Sequence, residues 1–82
     1  MRKEDGNIKH ISFFSGLIQS VGYDPQLALL EVRLANDGKV RQYRNVPEET
    51  WYHLRDSYYP EVYYRRYICG CYAELILSEE SA

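Results

Sequence analysis

The side chains that could carry metal or redox chemistry are two histidines and two cysteines, His10, His53, Cys69 and Cys71. Imidazole and thiolate groups are the ligands that zinc prefers, but cysteine pairs in structural zinc sites are usually separated by roughly two to four residues. Here a single glycine separates the cysteines, and the histidines are far apart in sequence. We therefore predict no metal site and no bound cofactor.

Cys69 and Cys71 could also form a redox pair, because Arg65 and Arg66 precede them and a nearby cation favours the reactive thiolate. The alternative is that Cys71 fills a gap in helix packing, as small apolar side chains do, and we favour that interpretation. Nucleophilic catalysis would need a base beside the thiol, and the spacing of His53 from the cysteines indicates no such pair. The sequence therefore predicts a protein that is not an enzyme.

Tyrosine and arginine are the other residue types with binding chemistry, and nine tyrosines stand beside two phenylalanines and one tryptophan. Rings stack on unpaired bases and arginines neutralise phosphates, so interleaved rings and cations suit single-stranded nucleic acid. The same two residue types are enriched at protein-interface hot spots. The residues that combine these chemistries are Arg41, Tyr43, Arg44, Tyr63, Arg65, Arg66 and Tyr67. The expected partner is either RNA or a protein, which includes a second copy of the chain that hides tyrosine surface.

The charge distribution limits how a nucleic acid would be bound. The net charge of −2 gives no support to a protein that coats a polyanion by bulk electrostatics. Between Arg33 and Arg66 basic residues outnumber acidic ones, whereas Glu79 and Glu80 concentrate acid near the end. A mildly basic centre is usually a solvated surface, so contacts with phosphates would have to be local.

The length and composition indicate one domain. Eighty-two residues support a single core, and a hydrophobic fraction of 45% is ordinary for a globular protein. No stretch reaches the roughly 18 apolar residues of a membrane span, and the polar start lacks the apolar core of a secretion signal. We therefore expect a cytoplasmic protein with a disordered segment over residues 1–10, one α+β domain over 11–77 and a polar tail over 78–82.

Three strands are predicted in the first half of the chain, at about residues 17–23, 27–34 and 39–45. The second alternates apolar and polar residues, which is typical of a strand with one buried face. In the first, Ile18 and Val21 would fall on opposite faces of an ideal strand, which indicates a bulge or a strand covered on both sides. Asp-Pro at 24–25 and Asp-Gly at 37–38 are turn signals, so the strands form an antiparallel meander.

Two helices are predicted after the meander, because Pro47 and Pro60 each stand at a favoured helix start and are followed by glutamate. The buried stripe of the first helix would be Trp51, Leu54 and Tyr58. That of the second would be Tyr64, Tyr67, Ile68 and Cys71.

Residues 72–77 fit either a continuation of the second helix or a closing strand, and we favour the strand. The predicted fold class is α+β. A three-stranded antiparallel meander is followed by two helices packed on one face, with a short C-terminal strand as the open option. Three strands need such a covering layer to be stable.

Tyr43 and Arg44 would point to opposite faces of the third strand, so only one of them can face the helices. The ring is the better core residue. We therefore expect the structural core to include Tyr43, Trp51, Leu54 and Ile68. The predicted nucleic-acid or partner-binding residues are then Arg41, Arg44, Tyr63, Arg65 and Arg66.

Several short motifs occur in an order that resembles the KTSC domain. They are Ile18, Val21-Gly22-Tyr23-Asp24-Pro25, the alternating Leu30, Val32 and Leu34, Gly38, Tyr43, Val46-Pro47, Trp51, Leu54, Ser57, and the run from Tyr63 to Tyr72. The KTSC domain is a short module at the C-terminus of some lysyl-tRNA synthetases and a stand-alone small protein of bacteria and phages. The resemblance covers about residues 15–72.

The KTSC family has no established activity, and RNA binding is the function that its synthetase context suggests. The resemblance therefore implies an RNA-binding, non-catalytic module. The chain departs from the family pattern at three places. The central Tyr-x-Tyr reads Arg41-Gln42-Tyr43, the late aromatic-Phe-Asn run reads Tyr63-Tyr64-Arg65, and Cys69 and Cys71 stand where basic residues are expected.

Overall fold

The alternation of apolar and polar residues builds the central strand of a sheet. In the computed structural model, which describes residues 8–13 and 16–77, this strand is β3 (Leu29–Leu34). Leu30, Val32 and Leu34 are buried on one of its faces, because successive side chains of a strand point to opposite sides. That face becomes the floor of the core.

The described residues add four strands to the sheet: β1 (His10–Ser12), β2 (Ile18–Asp24), β4 (Val40–Tyr43) and β5 (Glu74–Leu77). The strands lie in the order β1-β2-β3-β4-β5, and each neighbouring pair is antiparallel. The predicted meander corresponds to β2, β3 and β4. The strand favoured for residues 72–77 is confirmed as β5.

The predicted count of three strands, with a fourth as an option, was too low because β1 was missed. His10 begins β1 rather than ending a disordered segment, and pairs with Gly22 on β2. A three-residue strand is too short to show a periodic pattern in the sequence. β1 forms because the backbone groups at the edge of β2 pair with it. Residues 1–7 of the predicted N-terminal segment and the predicted tail (78–82) lie outside the described residues.

The helical layer covers one face of the sheet. It consists of α1 (Glu48–Asp56), α2 (Pro60–Tyr63) and a π-helical segment (Tyr64–Ile68) that continues α2 directly. Leu54, Tyr64 and Ile68 from this layer pack with the buried residues of the strands. The fold class is therefore α+β, as predicted, with a larger sheet.

The predicted local features of the meander are present. The register of β2 with β3 shifts between Ile18 and Ser20, as the bulge, the first of the two predicted alternatives, would require. The Asp24 carboxylate accepts the Gln26 N–H at 3.0 Å at the first turn. Gly38 has φ +69° at the second turn, where glycine adopts the left-handed region without a Cβ penalty.

The buried stripes predicted for the two helices are each only partly correct. Tyr58 is 95% exposed, because α1 ends at Asp56 and does not extend the stripe to it. Tyr67 and Cys71 are also exposed. The π-helical segment has more residues per turn than an α-helix, so the 3.6-residue spacing used for the prediction does not apply there. Gly70, with φ +82°, follows its end.

Candidate functional site

Tyr43 lies in the core, where the sheet meets the helical layer. Its side chain is fully buried, and its ring meets that of Tyr64 edge-on at 6.0 Å between centroids. The Tyr43 hydroxyl lies 2.5 Å from the Tyr64 hydroxyl and donates to Glu74 Oε2 at 2.9 Å. Burial raises the pKa of Tyr43, and the hydrogen bond with Tyr64 raises it further. Tyr43 is therefore a neutral structural residue with no exposed surface to offer a ligand.

Arg41 lies on the same face of β4 as Tyr43 but is held by two carboxylates. Its guanidinium lies 3.0 Å from Asp37 and 3.4 Å from Glu74, and its side chain is 16% exposed. The hydrogen bond with Asp37 raises the pKa of Arg41. A phosphate would have to compete with both carboxylates for Arg41. Arg41 is therefore a poorer candidate for binding a partner than the other predicted binding residues.

Arg44 projects from the end of β4 and is exposed. Its backbone N–H donates to the Ala73 carbonyl at 3.2 Å. Its guanidinium forms no ion pair with any residue in the described part of the chain. Arg44 is thus available to a partner, on a different element from the helical residues.

Three aromatic rings form a continuous row along the helical layer, which we call the ring row: His53, Tyr63 and Tyr67. The centroids of His53 and Tyr63 are 6.1 Å apart, and those of Tyr63 and Tyr67 are 4.8 Å apart. Tyr63 is half-buried and also packs against the core, whereas Tyr67 is 51% exposed. The row thus has an anchored centre and accessible ends.

Arg65 and Arg66 are exposed on the π-helical segment between Tyr63 and Tyr67 in sequence. Within residues 8–13 and 16–77, neither of them takes part in an ion pair. By contrast, Arg55 on α1 is already paired with Asp56 at 3.0 Å and lies over the Tyr52 ring at 4.9 Å. Tyr63, Arg65 and Arg66 therefore lie on one continuous helical stretch, formed by α2 and the π-helical segment. Neither arginine is neutralised by a carboxylate of the described residues.

Sequence reasoning missed an exposed apolar group at the start of α2. It consists of two tyrosines, Tyr58 and Tyr59, with Val62, and we call it the aromatic tip. These side chains are 95%, 68% and 51% exposed, respectively. The signal was present, because the tyrosines immediately precede Pro60, and a proline at a helix start implies a break before it. Residues in that break cannot continue the buried stripe of α1.

A polar cluster on the opposite face of the sheet was also missed. His10 Nε2 lies 2.7 Å from Glu31 Oε1, and His10 Nδ1 lies 2.8 Å from Ser20 Oγ. Gln42 Nε2 donates to Glu31 Oε2 at 2.7 Å. Burial raises the pKa of Glu31, but the hydrogen bonds from His10 and Gln42 outweigh it and leave the pKa below its ordinary value.

The order Ser20, His10, Glu31 matches that of a hydroxyl, a base and an orienting carboxylate. Acyl transfer would also need backbone amides free to bind an oxyanion. Ser20 lies within β2, between β1 and β3, so the amides around it belong to the sheet ladders. The arrangement instead ties β1 to the centre of the sheet, and we interpret it as structural.

The remaining chemistry-bearing residues do not converge. Cys69 and Cys71 are free thiols and both are exposed, so Cys71 does not fill a packing gap. Among the described residues, no three His, Cys, Asp or Glu side chains are grouped closely enough to hold a metal ion. The helices of the same part of the chain are all too short or too polar to cross a membrane.

Comparison with known proteins identifies the architecture. The family profile of the KTSC domain matches residues 14–72. The crystal structure of a KTSC domain protein from Yersinia pestis superimposes with a TM-score of 0.83 at 24% sequence identity, over 87% of this chain and 99% of that one. No curated protein matches the chain. At 24% identity, the structural match shows the fold alone.

Proposed function

The chain belongs to the KTSC domain family, and we propose that it is a small non-catalytic module that binds single-stranded RNA or a similar nucleic acid through its helical layer. The observation that carries the proposal is the ring row, with Arg65 and Arg66 beside it. Bases stack on exposed aromatic rings and phosphates pair with arginines, and the two features have to share one surface. Along the chain, Arg65 and Arg66 lie between Tyr63, at the end of α2, and Tyr67 on the π-helical segment, and this interleaving of rings and cations supports a shared surface.

The geometry suits a short stretch of nucleic acid. The centroid distances of 4.8 and 6.1 Å within the ring row show rings that already contact one another. Tyr67 is the most exposed tyrosine of the row and is the natural platform for a base. Tyr63 is anchored in the core and would hold the platform in place.

Electrostatics predict a weak salt dependence. The chain carries a net charge of −2, so we expect the attraction at this surface to come from Arg65 and Arg66, the two uncommitted arginines of the helical layer. Each phosphate neutralised on a single strand contributes about −0.7 to the slope of log K against log salt, so two arginines predict a slope of about −1.4. A protein that coats a polyanion would show a much steeper dependence.

A fluorescence-anisotropy titration with labelled oligouridylate tests the proposal. We expect binding at low salt with the shallow slope above, and loss of binding in the Arg65→Ala/Arg66→Ala double variant. Tyr67→Ala should weaken binding by about 1–3 kcal/mol, the usual value of one stacked base. Arg55→Ala is the matched control, because that exposed arginine is already paired with Asp56. Absence of any anisotropy change at low salt would refute the proposal.

A protein partner is the second candidate, favoured by one observation. Tyr58 and Tyr59 are 95% and 68% exposed at the aromatic tip, and large exposed tyrosines are typical hot-spot residues. The same titration separates the candidates. RNA binding that survives Tyr58→Ala/Tyr59→Ala but not Arg65→Ala/Arg66→Ala assigns the ring row to nucleic acid. No RNA binding by the parent protein removes the first candidate and leaves the protein partner to be tested.

A further inference from the structure

Among the described residues, β5 forms one edge of the sheet, and the last three of its four residues carry neither a charge nor a proline. Edge strands are normally blunted by charges, prolines, bulges or very short length, because their free N–H and C=O groups pair readily with another strand. β5 has the sequence Glu-Leu-Ile-Leu, and Leu75 and Ile76 are 49% and 47% exposed. The opposite edge, β1, has only three residues, two of them polar.

We propose that β5 is a homodimerisation edge, on which two copies of the chain pair antiparallel about Ile76 and join their sheets into one. This dimer goes beyond the proposed function and does not depend on it. It uses a different surface from the ring row and the aromatic tip.

The hydrogen bonds of β4 determine which groups of β5 face the open edge. The Arg44 N–H donates to the Ala73 carbonyl, so Ala73 directs its backbone groups towards β4. Backbone direction alternates along an antiparallel strand. Leu75 and Leu77 therefore also bond to β4, and Glu74 and Ile76 present their N–H and C=O groups to the open edge.

Side-chain chemistry selects one two-fold register among those that this alternation allows. With Ile76 opposite Ile76 of the second copy, Leu75 lies opposite Leu77, and these cross-strand pairs are apolar. A shift that centres the pairing on Leu75 places Glu74 opposite Ile76. A further shift places the two Glu74 carboxylates opposite each other, and like charges in that position are destabilising.

The charge on Glu74 does not oppose the Ile76-centred register. Its carboxylate accepts the Tyr43 hydroxyl at 2.9 Å and lies 3.4 Å from Arg41, so it has partners within its own sheet. Antiparallel pairing also separates the two Glu74 residues, because they lie at opposite ends of the paired segment. The strand thus presents an apolar centre with no opposed charges.

The paired strands would also join two apolar strips. Val40 lies beside Leu77 in the register of β4 with β5, and Leu75 shares their face because strand side chains alternate. Pairing makes this strip continuous across the two-fold axis. A four-residue strand still buries less than the roughly 1,200–2,000 Å² of a stable interface, so we expect a weak dimer whose population rises with concentration.

Sedimentation equilibrium of the full chain over a range of concentrations tests the dimer. The average mass should rise above the 9.7 kDa of the monomer. Ile76→Lys should weaken association at least about tenfold, since the two lysines would lie opposite each other. Ile11→Lys is the matched control, because Ile11 is 43% exposed on the other edge strand. It should leave association unchanged.

Amide hydrogen exchange of the unmodified protein tests the register without relying on a variant that folds. The Ile76 amide should become protected as concentration rises, whereas the Leu75 amide, bonded to β4, should exchange at a constant rate. The proposal is overturned by a 9.7 kDa species at every concentration up to about 1 mM. It is equally overturned by an association that Ile11→Lys abolishes and Ile76→Lys leaves intact, or by an Ile76 amide insensitive to concentration.

Discussion

The hydroxyl of Tyr43 lies 2.5 Å from the hydroxyl of Tyr64, and the two buried rings meet edge-on. This contact joins the end of β4 to the start of the π-helical segment. Tyr43 also donates to Glu74 on β5, so one tyrosine links the meander, the helical layer and the last strand. The aromatic residue of this stretch thus holds the fold together, while Arg44 beside it is exposed.

Replacing Tyr43 and Arg44 by alanine should lower stability to very different extents. Tyr43→Ala should lower the free energy of unfolding by about 3 kcal/mol, as large-to-small aromatic substitutions in cores do. Arg44→Ala should cost well under about 1 kcal/mol, because exposed charges contribute little. Urea melts of the two variants measure both values. Parent-like unfolding of Tyr43→Ala would show that the ring is not a core residue.

The paired hydroxyls should show energetic coupling. Tyr43→Phe and Tyr64→Phe each leave a buried hydroxyl with one partner fewer, and we expect each to cost about 1–2 kcal/mol. The double variant removes both hydroxyls, so its loss should be smaller than the sum of the single losses. A double-mutant cycle by denaturant unfolding measures this coupling. Strict additivity would mean that the hydroxyls do not interact in solution.

The His10–Glu31 contact predicts how stability depends on pH. Burial raises the pKa of Glu31, but the hydrogen bonds from His10 and Gln42 lower it further than burial raises it. A carboxylate with a lowered folded-state pKa stabilises the protein above its unfolded-state pKa of about 4.3. That stability is lost as pH falls from there through the folded-state pKa.

Urea unfolding of the parent and of Glu31→Gln, at several pH values between about 2 and 7, tests this linkage. The parent should lose stability below about pH 4.3, and Glu31→Gln should show a flatter dependence over the same range. Glu49→Gln, at an exposed position on α1, is the control and should follow the parent. Equal slopes for the parent and Glu31→Gln would contradict the assignment.

Gly22 should be required for β1 to dock. A Cβ at this position would lie 2.7 Å from Ile8 Cγ2 and 2.7 Å from the backbone oxygen of Lys9. Gly22→Ala should therefore push β1 away and cost about 1–3 kcal/mol, as overpacking does. Faster amide exchange in β1 would report the same displacement. Gly16→Ala is the matched control, because nothing lies within 4 Å of its added Cβ.

Much of the fold could be predicted from sequence patterns that span only a few residues. The alternation in β3, the bulge in β2, the Asp and Gly turn residues and the two proline helix starts depend on residues within a few positions of one another. The burial of Tyr43 followed from a local argument as well, since alternation on β4 allowed only one of two adjacent side chains to face the helices. The KTSC motifs are the same local features in a characteristic order.

Only the tertiary structure decided how distant segments share their polar groups. Arg41, predicted to bind a partner, is held by Glu74 from β5, a strand that follows the helical layer in the sequence. His10 is ordered because Glu31 and Ser20 lie within reach on neighbouring strands. The π-helical segment leaves Tyr67 exposed at the end of the ring row. Periodicity reports which face of its own element a residue occupies, whereas these outcomes depend on contacts between elements far apart in the chain.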